Sequence, residues 1–357
     1  MINNLEFFKN KRIFITGHTG FKGSWLSKIM LDSGAEVGGF SLPLESEESH
    51  FNLLNIKDRI NHYSGDITDD LAIKKAILEF KPEIIFHMAA QALVRSSYNN
   101  PKSTFNTNVM GSLNVLESIK ECSSVKSVIY VTSDKCYENV EWVYGYKETD
   151  TLGGHDPYSA SKACAEILFS SYKRSFLNER ENFGIASVRA GNVIGGGDFS
   201  IDRIVPDCIR AIRSDTPLEL RNPLSTRPWQ HVLEPLSGYI LLAQKLYDEP
   251  AIFSESWNFG PNSSEVMNVG EVAETIIQVY GKGKVDLSKT DSIFHEANLL
   301  QLNCDLANRK LNWWPRWDVK KTLEMTASWY KELDDGRSVS EITQEHIKDY
   351  FGGNYYD

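Results

Sequence analysis

The sequence predicts an α/β fold: a doubly wound parallel sheet joined to a smaller, partly interleaved α/β domain. Three observations carry that expectation. Short continuous apolar runs alternate with amphipathic helical stretches through the first half of the 357 residues. A glycine triplet directly follows the first of those runs. Beyond residue 192 the alternation loosens into proline-bearing turns and scattered helical patterns.

Taken in order, Arg12–Thr16 is β-branched and apolar and reads as the first strand. A helix follows over 21–33, closed by Gly34. Residues 35–42 give a second strand, 82–90 a third, 127–133 a fourth and 184–193 a fifth. Helical stretches at 69–80, 103–121 and 158–175 lie between them. Continuous apolar strands separated by helices define βαβ units and a parallel sheet covered on both faces. Gly195-Gly196-Gly197 then marks a loop, and prolines follow at 206, 217, 223, 228 and 235. Helical patterns recur at 232–247, 268–280 and 318–332. The expected division is a dinucleotide-binding domain over 1–192, with returning segments near 229–260, and a smaller substrate-binding domain over 193–357. No linker composition fixes the cut.

Composition narrows the function. Hydrophobic residues make up 41% and charged ones 24%, as in a soluble enzyme with a substantial core. A net charge of −10 argues against a broad basic surface for nucleic acid. An anionic ligand must then be small and held by a few local cations. Five cysteines, widely spaced and without a CxxC, point to reduced thiols and to neither a disulfide frame nor a metal site. The opening "MINNLEFFKNKR" lacks a signal-peptide core, and no run approaches transmembrane length. A cytoplasmic protein off the membrane is the expectation.

The glycine loop reads Gly17-His18-Thr19-Gly20-Phe21-Lys22-Gly23, a GxxGxxG between first strand and first helix. Gly17 permits the tight turn and Gly20 lets the backbone approach a pyrophosphate. Gly23 lets helix and strand pack closely, with the helix N-terminus facing the phosphates. This is a Rossmann-type dinucleotide site. The acid that reads the ribose should end the second strand, yet Phe40, Ser41 and Leu42 stand there, with no arginine nearby. The loop alone therefore does not separate NAD from NADP. Asp66 and Ile67, in "GDITD", lie where an adenine edge is read, while Asp69 suits a helix N-cap.

A second cluster lies in "HDPYSASKACAE". Asp156 and Pro157 read as N-cap and first helical residue. Tyr158 and Lys162, four apart, share one helix face. An ammonium near a phenol lowers its pKa from about 10, which makes the phenol a usable acid or base. An isolated YxxxK is usually an exposed pair. Here it follows a strand that ends in the hydroxyls of Thr132 and Ser133. Asp134 and Lys135 come next, at the mouth of the sheet. Adjacent strand residues point to opposite faces, so these two are poorly placed to pair with each other.

With "TGHTGFKG", "HMAAQ", "NTNVMGSLNVLE", "VTSDKCY", "DPYSASK" and "RAGNVIGGGD" on the page, the chain resembles the extended short-chain dehydrogenase/reductases over nearly its whole length. Within them it resembles the nucleotide-sugar 4,6-dehydratases. Most of those carry Thr-Asp-Glu where this chain has Ser133-Asp134-Lys135. That variant, with "GGHDPYSASKACAE" and "RPWQHVLEPL", is similar to the branch acting on CDP-glucose. The resemblance implies bound NAD and a 4-keto-6-deoxy product, which suits surface-polysaccharide synthesis.

The resemblance also implies roles. Tyr158 takes the proton of the 4-hydroxyl as hydride leaves C4, with Lys162 beside it and Ser133 on the 4-oxygen. Asp134 protonates the departing C6 hydroxyl, which needs a raised pKa. Lys135 either removes the C5 proton as a neutral amine or stabilises an enolate. Desolvation pushes both groups the required way. Ala89 and Ala90 leave room for the cofactor, and Asn108 supports the Tyr/Lys site. Gln91, Arg95 and Ser96 face the hexose and its phosphate. Asn192 meets the sugar diphosphate, and Arg221, Arg227, His231 and Arg309 hold the nucleotide; a planar guanidinium forks onto phosphate oxygens. Arg189 orders a loop, and Trp229 packs. Helices 103–121 and 158–175 resemble those that form a homodimer through a four-helix bundle, or else serve the intrachain core. An epimerase or reductase of the same superfamily, and a non-catalytic NAD-binding sensor, are the competing readings.

Overall fold

The structure is a computed structural model of the chain, in which residues 5–44, 48–220, 222–262, 266–286 and 299–352 are described. Its centre is β1 (Arg12–Thr16), buried from Ile13 onward. Alternation along it feeds two layers: Ile13 and Ile15 face one apolar core and Phe14 the other. The next strands are β2 (Glu36–Ser41), β3 (Asn61–Ser64), β4 (Ile84–His87), β5 (Ser127–Val131) and β6 (Gly184–Arg189). The short β7 (Val193–Ile194) to β10 (Gln230–His231) follow, and β11 (Ser256–Asn258) returns to the main sheet. That sheet runs β11-β6-β5-β4-β1-β2-β3, and all its pairs are parallel. Strand order reverses between β1 and β4, where a doubly wound sheet opens a crevice.

Helices cover both faces. On one lies α1 (Phe21–Asp32), whose Trp25, Leu26 and Ile29 are fully buried. On the other lie α2 (Asp70–Phe80) and α3 (Ser112–Glu121), with Ile73, Ile77, Leu116 and Ile119 packed beneath them. The helix α4 (Pro157–Tyr172) completes that layer through Ala165 and Phe169. Asp156 caps it by accepting from the Ser159 N–H at 3.0 Å, and Pro157 opens it.

The second half supplies α5 (Ile204–Arg213), α6 (Leu233–Asp248), α7 (Val269–Tyr280), α8 (Val319–Asp334) and α9 (Val339–Gly352). It adds three two-stranded pieces, of which β10 on β7 continues directly from the mouth of the main sheet. Strand ends are shorter than the apolar runs suggested: the fourth expected strand stops at Val131 and the fifth at Arg189. Of the residues released there, 133–135 and 190–192 line the site. The expected helix over 103–121 is three pieces, with a wider turn over Asn106–Gly111 between Pro101–Phe105 and α3. No helix of the described residues is long and apolar enough to cross a membrane.

Candidate active site

The glycine loop fits a dinucleotide by its own geometry. Gly17 sits at φ +75°, and a β-carbon there would lie 2.9 Å from the Ala89 backbone. A β-carbon on Gly23 would lie 2.1 Å from the Gly17 carbonyl oxygen, so only glycine lets α1 approach the loop this closely. Gly20 is the N-cap and supplies no side-chain acceptor, which leaves the first-turn N–H groups of α1 open to an anion. His18 is buried, bonded to Ser41 Oγ at 2.8 Å and His62 at 2.7 Å. The Ser41 hydroxyl also accepts from the Thr19 N–H at 3.3 Å, so a hydroxyl stands where the ribose-reading acid was sought. Asp66 folds into a turn, accepting from the Thr68 N–H at 2.9 Å, while Ile67 packs against Gly111. Asp69 caps α2.

A cavity of about 500 Å³ opens beside this loop, within the range of small-molecule sites. Lys22, Ser133, Asp134, Lys135, Tyr158 and Asn192 all line it. The strand has already ended when the chain reaches residue 134. Asp134–Cys136 is a tight single turn, so neighbours 134 and 135 both border the cavity rather than facing opposite ways. The Ser133 hydroxyl donates to Asp134 Oδ1 at 2.9 Å and accepts from the Lys135 N–H at 3.3 Å. Asp134 is buried against Gly191, whose absent β-carbon would stand 1.9 Å from its Oδ2.

Tyr158 and Lys162 share the buried face of α4, with the ammonium 6.0 Å from the phenol ring centre. Burial pushes the phenol up to about 12, against the opposing effect of Ser133. The expected lowering by Lys162 is not found: burial dominates, and the groups that oppose it are Ser133 and Arg203. Burial also pushes Lys162 down to about 8. Asn108 stands behind this pair. Its Nδ2 donates to Ser161 Oγ at 2.9 Å and to the Gln91 carbonyl at 3.0 Å, and its Oδ1 accepts from the Gln91 N–H at 2.8 Å.

Beneath the site lies a buried ion pair, Arg189 to Glu166 at 2.7 Å. Glu166 also accepts from Thr132 Oγ1, and from Ser187 Oγ at 2.9 Å. Arg189 donates onward to the Tyr137 hydroxyl at 2.7 Å, which donates to Asn258 Oδ1 at 2.8 Å. Ends of β5, β6 and β11 are thereby tied to α4.

Several expected contacts fall elsewhere. Gln91 spends its amide on the Leu93 backbone and Thr104, so it orders its loop rather than facing a sugar. Ser96 is exposed and off the cavity, whereas Arg95 lines it and pairs with Asp202 at 3.1 Å. His231 is fully buried among Trp25, Trp317 and His346, because the alternation of β10 turns it into the core. Arg309 is open to solvent on α-turn Asp305–Lys310, with Asp305 4.0 Å away, and does not reach the cavity. Arg221 lies outside the described residues. Arg227 and Trp229 do border the cavity. Sequence reasoning passed over Arg203 and Asp198, which pair at 3.0 Å on the cavity wall. The available signal was "GGGDFSIDRIVP", where charges between a glycine run and an amphipathic helix face the crevice.

Fold and site together define a Rossmann-type protein with a tyrosine–lysine pair beside a dinucleotide loop. Its fold is that of an epimerase of Methanothermobacter thermautotrophicus, with a TM-score of 0.81 at 23% identity over 96% of this chain and 97% of that one. It is also that of a dTDP-glucose 4,6-dehydratase of Bacillus anthracis solved in complex with NAD, with a TM-score of 0.74 at 22% identity over 91% and 98%. A family model described as GDP-mannose 4,6 dehydratase matches residues 14–326. The chain belongs to that family. It is 47% identical to a CDP-glucose 4,6-dehydratase of Salmonella typhimurium over 97% of both chains, and 26% identical to the human GDP-mannose 4,6 dehydratase over 85% and 86%.

Proposed function

We propose that the chain is an NAD-dependent CDP-glucose 4,6-dehydratase, a hydro-lyase that converts CDP-D-glucose to CDP-4-keto-6-deoxy-D-glucose. The observation that carries this reading is the meeting of Ser133, Asp134, Lys135 and Tyr158 on one cavity, beside the glycine loop. Nearly full-length identity to the Salmonella enzyme supports cytidine as the base. The uncapped first turn of α1 and the Gly17–Gly23 contact suit a pyrophosphate. When bound, NAD accepts the hydride of C4 and returns it to C6.

The chain's own residues do the rest. Tyr158 takes the 4-hydroxyl proton, and Ser133 holds the 4-oxygen. The keto group acidifies C5–H. Lys135 removes that proton or steadies the resulting enolate. Asp134 donates a proton to the C6 oxygen as the C6–O bond breaks, water leaves, and C5 takes a proton back as C6 receives hydride. Asn192, Arg227 and Arg203 suit the diphosphate. We assign 1–192 and the returning strand β11 to cofactor binding, and the remainder of 193–357 to the nucleotide sugar. The five free cysteines support a reducing, cytoplasmic setting.

Incubation with CDP-glucose and with other nucleotide glucoses tests the reading through the alkali-induced absorbance of the 4-keto product. Only CDP-glucose should turn over efficiently. Asp134→Asn should cost roughly 10²–10⁴-fold in elimination. An Asp134→Asn variant with undiminished product formation would remove the acid role, and no turnover of any nucleotide hexose would remove the enzyme.

A further inference from the structure

Behind Asp134 lies a second, much smaller void, of about 10 Å³. Asp134, Gly191, Gln230, Gly260, Leu300 and Leu302 border it. Gln230 belongs to β10 and is 1% exposed. Its Nε2 donates to the carbonyls of Gly191 and Phe259, at 3.0 Å each. Those two bonds fix which way the amide faces and use both of its donors. Its Oε1 is buried and has no hydrogen-bond partner among the described residues. An amide oxygen only accepts, and so does an ionised carboxylate. Neither satisfies the other across the void. What fits between two acceptors is a molecule that donates twice, and a void of this size is about enough for one water.

We propose that one buried water bridges Gln230 Oε1 and Asp134, and that Gln230 is a positioning residue for the acid. The inference rests on the acid role given to Asp134 above. Gln230 acts in two ways. Its N–H groups hold the carbonyl of Gly191, the residue against which Asp134 packs. Its oxygen holds the water against the carboxyl. Asp134 Oδ2 is the oxygen beside Gly191, and Oδ1 is the one bonded to Ser133. A carboxylic acid keeps one acceptor oxygen. A water donating to Oδ2 leaves the acidic proton on Oδ1, on the Ser133 side where the hexose is held. Ser133 is needed at the 4-oxygen of the sugar, so the water is the partner that stays with Asp134 through the reaction.

A high-resolution crystal structure of the NAD-loaded enzyme tests the site itself. One water should stand within hydrogen-bond distance of both Gln230 Oε1 and Asp134. An empty void overturns the proposal, and so does density whose contacts are too short for a water and mark a cation.

Stopped-flow kinetics test the role. In Gln230→Met, elimination from CDP-glucose should slow about tenfold, the rate equivalent of one lost hydrogen bond. The first hydride transfer should keep its rate, so NADH absorbance rises as in wild type and then persists. CDP-6-deoxy-6-fluoroglucose supplies the control. Fluoride leaves without taking a proton, so Gln230→Met should process that substrate at the wild-type rate. Gly260→Ala decides where Gln230→Met does not fold. A β-carbon there meets Cys304 at 3.5 Å and Leu302 at 3.6 Å, ordinary contact, and sets a methyl on the wall of the void with Gln230 intact. It should show the same slow elimination and the same recovery with the fluoro sugar. Unchanged elimination overturns the role of Gln230. Equal slowing of hydride transfer and elimination, or a fluoro sugar slowed as much as CDP-glucose, makes Gln230 a packing residue and overturns it too. A wild type that turns over no nucleotide hexose fails the dehydratase reading alone, and the water then stands or falls by the crystal structure.

Discussion

At residue 191 the chain has no room for a methyl group. Asp134 Oδ2 would stand 1.9 Å from it, far inside contact distance, and Asp134 is itself buried with Ser133 fixed to its other oxygen. The carboxylate is thus positioned by an absence, and glycine at 191 is as much a part of the site as the acid. Gly191→Ala should push Asp134 away from its place by an ångström or so. A displacement of that size costs on the order of 10²-fold in a proton-transfer step. The variant should keep its cofactor affinity, since Gly17, Gly20 and Gly23 are untouched. Steady-state turnover of CDP-glucose alongside dinucleotide titration checks this. A Gly191→Ala enzyme with wild-type turnover would show that Asp134 tolerates movement and is not a positioned acid.

Elements hold these residues in register through buried charge, and buried charge makes pH part of the fold. Glu234, in the first turn of α6, accepts from the backbone of Trp317 at 2.8 Å, of Arg316 at 3.0 Å, and from the Tyr350 hydroxyl of α9 at 2.6 Å. Burial nevertheless pushes its carboxyl up to about 7 from 4.5. The folded protein therefore binds this proton more tightly than the unfolded chain does. Its contribution is fully favourable below about pH 4.5 and declines through about 7, by up to about 3 kcal/mol. Glu234→Gln cannot titrate, so wild type should lose stability relative to it between those pH values. Urea midpoints at half-unit pH steps read this directly, and parallel curves would refute it. Such elements differ in how plainly the sequence announces them. β1, β4, β5 and β6 are continuous apolar runs, and α4 carries its own cap and proline. β3 is "NHYS", a polar strand at the sheet edge with no apolar run to mark it. Pro206 suggests a turn but sits in the first turn of α5, where a missing N–H costs nothing. The site divides the same way. The glycine loop and Tyr158/Lys162 are legible because their spacing is local. Gln91, His231 and Arg203 are not, because partners more than ten residues away, Thr104, Trp25 and the cavity itself, decide which way they point.

At the scale of the molecule, α3 and α4 lie side by side and leave apolar groups outside. Tyr172 donates to Glu117 across them at 2.7 Å, and Lys120 stands 5.1 Å over the Phe176 ring. Of the apolar residues on these helices, Leu116 is spent on the intrachain core and Leu168 packs against it. Ile167 of α4 stays 58% exposed, and Met110 and Phe176, in the wider turns before α3 and after α4, 48% and 54%. Burial of such side chains contributes roughly 25 cal/mol per Å² of apolar surface removed from water. A second copy presenting the outer side of α4 would cover Ile167, in the self-complementary geometry of a two-fold dimer. A homodimer through this face is the outcome to test. Ile167→Glu places a carboxylate at its centre, where desolvation without a partner is costly. The wild type should sediment as a dimer at micromolar concentration and the variant as a monomer. Tyr158 and Lys162 occupy the opposite, buried side of α4, so cofactor affinity per chain should survive in the monomer. A wild type that already sediments as a monomer, or an Ile167→Glu chain that remains dimeric, would move the interface elsewhere.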